Sequence, residues 1–337
     1  MMNTIGTHMA GTSADKVRVG ILGCSDIARR KFIPALQGST GAVLRGIGSR
    51  DRGKAAAVNP GETCEVLGYE DLLAHPAIDL VYLSLPNHLH EEWTLRALQS
   101  GKHVICEKPL ALSAASAERM LNCAGERGLL LYENLMYLHH PQHAAVKELI
   151  ASGGIGRIQS LRSVFGFPFP TEGNFRLDPE KGGGAFHDLA RYPLSTALYF
   201  LRGDSYQFKG YALDRNGLNV ALHGIALTAA GELFSFSMAF GQQYESHYEI
   251  IGELGKIRVE RAYTTPAELE NLVQVSCGER DASFAVPPCD HFRLMIEHVC
   301  ALVRNAGDFR ETHERSRRLA RLAEQMERGC HHEELRQ

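Results

Sequence analysis

In the first half of the chain, short apolar blocks alternate with stretches whose apolar residues recur every three or four positions. Val17–Leu22, Val43–Gly48, Cys64–Leu67, Leu80–Leu85, His103–Cys106 and Leu129–Tyr132 read as strands. Between them, Asp26–Gln37 (apolar at Ile27, Phe32, Ile33 and Leu36), Lys54–Val58, Glu70–Ala74, Glu91–Gln99 and Ala114–Arg127 read as helices. Strands separated by helices predict a parallel, doubly wound α/β sheet of the Rossmann kind.

Beyond residue 135 the rhythm changes. Ala144–Ala151 has helical spacing and Arg157–Phe165 is strand-like. Gly182–Gly184 opens a helix that runs to about Leu201. Gln207–Leu213, Val220–Thr228, Leu233–Phe240, Ser246–Ile251 and Lys256–Glu260 then alternate with little helix between them. Consecutive strands predict a large, mostly antiparallel sheet, hence an α+β second domain. Helices over His291–Val303 and Thr312–Gly329 close the chain. Arg and Glu recur at helical spacing in the second of them, which marks a solvated face. The expected division is a loose tail over 1–15, a dinucleotide-binding domain over 16–135 and the α+β domain over 136–337.

Composition removes several classes. Hydrophobic residues make up 44% and charged residues 22%, the profile of a soluble globular chain rather than a disordered or coiled-coil one. Basic and acidic residues number 36 and 39, a net charge of -3, so nothing suggests a nucleic-acid or membrane-surface partner. No apolar run approaches the ~18 residues of a membrane span. The first 15 residues have neither the basic start nor the apolar stretch of a signal peptide. The eight cysteines form no CxxC pair, which fits free thiols in a reducing cytoplasm and no structural metal.

The first strand runs into Gly20-Ile21-Leu22-Gly23-Cys24-Ser25-Asp26-Ile27-Ala28. A tight strand-to-helix turn sets backbone N–H groups and a helix N-terminus against a pyrophosphate. Gly23 and Ala28 fit the first and third positions of G-x-G-x-x-G/A, whereas Ser25 replaces the second glycine. The second strand ends in Ser49-Arg50, where an NAD enzyme places a carboxylate. A hydroxyl and a guanidinium suit a 2′-phosphate, so NADP(H) is the expected cofactor. Arg52 and Lys54 read as ordinary solvated charges.

Glu107-Lys108-Pro109 follows the strand His103–Cys106, at the sheet edge where ligands bind. Upstream lie Leu83-Ser84-Leu85-Pro86-Asn87-His88-Leu89-His90 and Gly101-Lys102-His103-Val104, and downstream Gly182-Gly183-Gly184-Ala185-Phe186-His187-Asp188-Leu189-Ala190-Arg191-Tyr192. Together they resemble the glucose–fructose oxidoreductase and inositol dehydrogenase (Gfo/Idh/MocA) family of NAD(P)-dependent sugar oxidoreductases, from Val17 to about Arg328. Ala190 stands where that family has glycine, and Arg191 is unusual. Leu131–His143 and the Cys24–Ala28 turn are similar to the nucleotide-sugar 3-ketoreductases of deoxysugar antibiotic pathways. Those enzymes use NADPH to reduce C-3 of a dTDP-linked 3,4-diketo-2,6-dideoxyhexose. His139, His140 and His143 read as helix-start packing rather than a metal site.

A hydride delivered to a ketone carbon leaves charge on its oxygen, which needs a nearby cation and a proton donor. Lys108 and Tyr192 are the catalytic candidates, with Tyr192 as donor and Lys108 as electrostatic partner or the reverse. The plainer alternatives are an ion pair of Lys108 with Glu107 or Asp188, and a core position for Tyr192. The resemblance implies a cofactor cradle of Gly23, Cys24, Ser25, Asp26, Ile27, Ser49, Arg50, Tyr69, Leu85, Pro86, Asn87, His90, Glu107, Lys108 and Arg176. His90 alternatively reads as a solvated helix residue, and Arg176 as a surface charge. Asp188 would orient Lys108 or hold a sugar hydroxyl. Tyr248, Arg261 and Tyr263 are candidates for the substrate's base and diphosphate. The family also implies a homodimer or homotetramer formed through the second sheet. Two other functions stay open: a dehydrogenase of a free monosaccharide or polyol, and a non-catalytic NADP(H)-sensing regulator.

Overall fold

The computed structural model describes residues 16–335 apart from 60 and 62, so the tail expected over 1–15 lies outside the described residues. Six strands, β1 (Val17–Leu22), β2 (Ala42–Gly48), β3 (Glu65–Leu67), β4 (Leu80–Leu83), β5 (His103–Cys106) and β6 (Leu131–Glu133), form one parallel sheet in the order β3-β2-β1-β4-β5-β6. Helices α1 (Ile33–Gln37), α2 (Arg52–Val58), α3 (Tyr69–Ala74), α4 (His90–Gln99) and α5 (Ala114–Glu126) cross between the strands. β4 is buried along its whole length, as a sheet covered on both faces requires. Asp51 caps α2 by accepting from Lys54 N, and Ser113 caps α5 by accepting from Ser116 N. The strand order reverses between β1 and β4, which opens a crevice at the carboxyl ends of the strands.

The second half supplies α6 (Pro141–Ala151), β7 (Ile158–Phe167), α7 (Ala185–Leu189), α8 (Arg191–Phe200), β8 (Tyr206–Arg215), β9 (Leu218–Thr228), β10 (Leu233–Phe240), β11 (Glu245–Gly252), β12 (Lys256–Glu260), β13 (Asn271–Cys277) and β14 (Arg280–Val286). Helices α9 (His291–Arg304) and α10 (Arg310–Arg328) and the strand β15 (Cys330–Glu334) follow. Nine strands make one sheet, ordered β14-β13-β12-β11-β7-β10-β9-β8-β15. Only the β10–β7 and β15–β8 pairs are parallel among the described residues. Its inward face carries Phe165, Phe234, Phe236, Tyr248 and Ile250 against Leu189, Leu194 and Ala197 of the helices. Its outward face leaves Tyr211, Ile225, Leu227, Leu233, Ile251 and Leu272 exposed.

Three features depart from the sequence reading. The helix expected from Gly182 to Leu201 is two helices, broken at Ala190. Strands β13, β14 and β15 were not foreseen. Helix α9 does not stay with the second sheet: Phe292, Met295, Ile296 and Val299 share a core with Val19, Ile21, Phe32 and Leu44 of the first. No helix among the described residues is long and apolar enough to cross a membrane.

Candidate functional site

The crevice at the switch point is a cavity of about 620 Å³. Gly23, Cys24, Ser25, Asp26, Ile27, Arg50, Tyr69, Leu85, Pro86, Asn87, Glu107, Lys108, Arg176 and Asp188 line it. Gly23 has φ +106°, and a Cβ there would lie 2.4 Å from the Ser84 carbonyl oxygen. Only glycine lets the chain pass this close to the neighbouring strand. The helix starting at Asp26 opens at the cavity wall, the placement a phosphate site needs. Ser25, at the missing glycine position, caps that helix: its Oγ accepts from Ala28 N at 3.1 Å and meets the Ser84 hydroxyl. Burial pushes the Cys24 thiol above its usual range, so it is a neutral part of the wall.

The helix after the turn is π-wound over Ala28–Phe32, and this stretch brings Arg30 and Lys31 to the cavity edge. With Arg50, Lys108 and Arg176 they give the crevice five cationic groups on its wall. Sequence reasoning missed Arg30 and Lys31, because a charge following the fingerprint reads as solvated face. Arg50 lies beside Tyr69, whose phenol is raised by burial while Arg50 opposes the rise. Ser49 is buried one layer behind, where its Oγ accepts from Asp51 N at 3.1 Å. A cradle with room only for glycine, a helix start and a cluster of guanidinium and ammonium groups fits a dinucleotide carrying an extra phosphate.

The Lys108–Pro109 peptide is cis, and Lys108 emerges beyond the end of β5. Its Nζ donates to Asp188 Oδ1 and to the Asp188 carbonyl oxygen, both at 2.6 Å. Arg176 Nε donates to the other carboxylate oxygen, Oδ2, at 2.9 Å. Burial alone would push the Asp188 carboxyl up, but Lys108 and Arg176 hold it at about 2. The ion-pair alternative for Lys108 is thus realised with Asp188, and at the cavity wall. Glu107 accepts from Tyr82 at 2.5 Å and from Asn134 Nδ2 at 2.7 Å, so it fixes the loop from beneath.

Tyr192 is buried, and Lys108 Nζ lies 5.1 Å from its ring centroid. Phe165, Tyr137 and Tyr263 pack around it with centroids at 4.8, 5.6 and 5.3 Å. Burial first, then the Asp188 and Glu107 carboxylates, push its phenol well above the usual range, so it stays protonated. Arg191, its neighbour, is buried and paired with Glu133.

Four further candidates, like Ser49 and Tyr192, are not part of the cavity lining. His90 is fully buried behind the wall, with Nδ1 2.8 Å from the Pro109 carbonyl oxygen and Nε2 2.9 Å from that of Leu85. It braces two lining loops and is neither solvated nor facing the cavity. Tyr248 and Tyr263 are fully buried on the inward face of the second sheet. Tyr248 bonds His143 at 3.1 Å and Tyr263 bonds Ser163 at 2.5 Å. Neither offers a ring face to a base, because the aromatic core covers both. Arg261, with φ +49°, stacks its guanidinium 4.7 Å over the Tyr244 ring, away from the cavity lining. Of the three histidines, His140 Nδ1 accepts from Gln142 N at the start of α6, and His139 Nε2 bonds Tyr132 at 2.6 Å. Among the described residues no group of three or more His, Cys, Asp or Glu is placed to hold a metal.

Comparison with known proteins agrees with this geometry. Residues 17–135 match the model of the oxidoreductase family with an NAD-binding Rossmann fold, and residues 143–258 match the GFO/IDH/MocA C-terminal domain. The chain is 37% identical to a dTDP-3,4-didehydro-2,6-dideoxy-alpha-D-glucose 3-reductase of Actinomadura kijaniata, over 94% of this chain and 97% of that one. It is 34% identical to the enzyme of the same name from Streptomyces antibioticus, over 92% and 96%. Among solved structures, the 3-ketoreductase KijD10 of Actinomadura kijaniata, in complex with NADP and TDP-benzene, superposes with a TM-score of 0.91 at 34% identity, covering 95% of this chain and 100% of that one. With both halves matched in order and the whole architecture shared, the chain belongs to the GFO/IDH/MocA family of oxidoreductases.

Proposed function

We propose that this protein reduces the C-3 ketone of a dTDP-linked 3,4-diketo-2,6-dideoxyhexose with NADPH, as a step of deoxysugar biosynthesis in the cytoplasm. The observation that carries the reading is the Lys108–Asp188–Arg176 cluster on the wall of a cationic dinucleotide crevice, with the Tyr192 ring centroid 5.1 Å from Lys108 Nζ. Four relatives named for this reaction, 34–37% identical to the chain, support it. KijD10 variants altered at one lysine and one tyrosine, with the same spacing along the chain as Lys108 and Tyr192, support the choice of residues.

NADPH, when bound, supplies the hydride that arrives at the ketone carbon. Gly23–Ile27 would hold its diphosphate and Arg50 its 2′-phosphate, with Ser49 fixing the turn behind Arg50. An ammonium has three donors, and Asp188 occupies two of those of Lys108. The third polarises the C-3 oxygen and stabilises the charge that grows there. Tyr192 gives up the proton in this reading. Transfer from Lys108 would instead strip the cation from a carboxylate held at about 2. A second copy of the chain is the natural cover for the outward face of the nine-stranded sheet, with its exposed row from Tyr211 to Leu272.

Thermal stability tests the ligand classes separately. A ligand at 100 times its dissociation constant adds about 2.7 kcal/mol. NADPH should raise the melting temperature, and thymidine diphosphate should raise it further, with no response to free glucose or xylose. A response to a free sugar and none to any nucleoside diphosphate would contradict the nucleotide-sugar assignment.

A further inference from the structure

Lys108 and Tyr192 come from different halves of the chain, one on the loop after β5 and one on α8. Their headgroups meet only if the loop and the helix keep a fixed separation. The Lys108–Asp188 bond orients the ammonium but sits at the end of a flexible four-carbon stem. The backbone on either side of Lys108 is held by other groups.

Glu133, at the end of β6, is buried, and its Oε1 accepts from Leu110 N at 2.9 Å. The same oxygen accepts from Arg191 Nε at 3.0 Å. Arg191 Nη2 donates to the Ala111 carbonyl oxygen at 3.3 Å. Asn134, the next residue, donates from Nδ2 to Glu107 at 2.7 Å and from its backbone N to Cys106 O at 2.8 Å. The residues before and after Lys108-Pro109 are thus tied to Glu133-Asn134, and Arg191 ties that assembly to the helix turn bearing Tyr192.

We propose that Arg191 and Glu133 form a positioning clasp that sets the distance between Lys108 and Tyr192 across the two halves of the chain. The inference rests on the reading of those two residues as the groups that meet the ketone oxygen. The chemistry of the side chains fits the task. A guanidinium is a rigid planar fork, so Nε and Nη2 of Arg191 hold a carboxylate and a carbonyl in one orientation. A buried ion pair is a poor source of net stability, so its value here is registry. Glu327 and His187 feel the Arg191 charge, and neither hydrogen-bonds to it among the described residues. Small errors in the placement of reacting groups are expensive in rate, which gives such a clasp a measurable consequence.

The test uses Arg191→Gln, Arg191→Lys and Glu133→Gln in the full chain. Steady-state kinetics with NADPH and the dTDP-diketohexose are run beside hydrogen exchange of the segment 107–112. Arg191→Gln is expected to lower kcat about 10- to 100-fold while NADPH affinity stays within about threefold. Exchange at Leu110 should quicken, and Arg191→Lys should recover part of kcat because it keeps the charge and loses the fork. If Arg191→Gln does not fold, Arg191→Lys decides in the same way; Glu133→Gln is the control, since its amide oxygen still accepts from Leu110 N and Arg191 Nε and kcat should change little. A folded Arg191 variant with wild-type kcat overturns the clasp. So does a loss of kcat, NADPH affinity and melting temperature together, which marks a merely structural pair. Failure of the wild-type protein to turn over the dTDP-diketohexose would instead refute the functional reading. The clasp is then judged on Leu110 exchange alone, and unchanged exchange in Arg191→Gln refutes it.

Discussion

At Lys108, one N–H remains for a ligand after Asp188 has taken two, and this sets what a substitution removes. Lys108→Ala deletes the cation at the developing alkoxide, and kcat should fall about 100- to 1,000-fold. Tyr192→Phe deletes the protonated phenol, and kcat should fall about 100- to 10,000-fold with NADPH affinity unchanged. Wild-type turnover in the pair of substitutions combined would refute the catalytic assignment. Arg50 acts on the other end of the cofactor. Losing a charged hydrogen bond of about 1.5–3 kcal/mol, Arg50→Ala should bind NADPH about 10- to 100-fold more weakly, with NADH affinity the same. Equal loss for both cofactors, read by fluorescence titration, would place Arg50 away from the 2′-phosphate. Most of the lining was legible as residue types at a sheet edge. What sequence could not supply was depth. Tyr248, Tyr263 and His90 have side chains suited to ligands, yet all three satisfy their polar atoms within the protein.

Among the elements, the turn between β1 and the first helix has the least latitude. Gly23→Ala would force a side chain to φ +106° and onto the Ser84 carbonyl. That substitution should cost about 1–3 kcal/mol and weaken NADPH binding. A melting temperature and cofactor affinity like those of the natural chain would contradict the role given to this turn. The Rossmann strands were legible because both sheet faces are covered, so β4 reads as a continuous apolar run and β1 as one broken only by Arg18. The end of the second sheet was illegible for the opposite reason. β14 is mostly exposed and β15 is Cys330-His331-His332-Glu333-Glu334, polar after its first residue. Main-chain bonds to β13 and β8 place these strands, and no side-chain period reveals them. In β13, Leu272 faces outward and blurs the alternation that Val273 and Val275 set. The break at Ala190 was hidden because helical residues flank it on both sides.

For the whole molecule, the junction between α9, β6 and the start of α6 gathers histidines that are buried neutral. Burial above all holds His139, His143 and His291 at about 3, and His140 at about 4. Their unfolded value is near 6.5, so between these limits the unfolded chain binds more protons than the folded one. Stability from these groups is therefore complete above about pH 6.5 and is lost progressively as the pH falls toward about 3. The melting temperature should drop already between about pH 6.5 and 5, before carboxylates such as Asp188 take up protons. A flat profile across that interval would show that the junction opens to water before unfolding. The parallel first sheet and the mostly antiparallel second could be read from sequence, but this junction could not, because α9 returns to the first sheet from the far end of the chain. The central claim is that hydride reaches C-3 of a nucleotide-linked ketosugar beside Lys108 and Tyr192. The most direct test supplies NADPH deuterated at the transferred position together with the dTDP-diketohexose, and locates the label in the product by NMR. Deuterium at C-3 of the hexose, absent with Lys108→Ala, is the predicted result; label at C-1 or C-4, or none in the sugar, would contradict it.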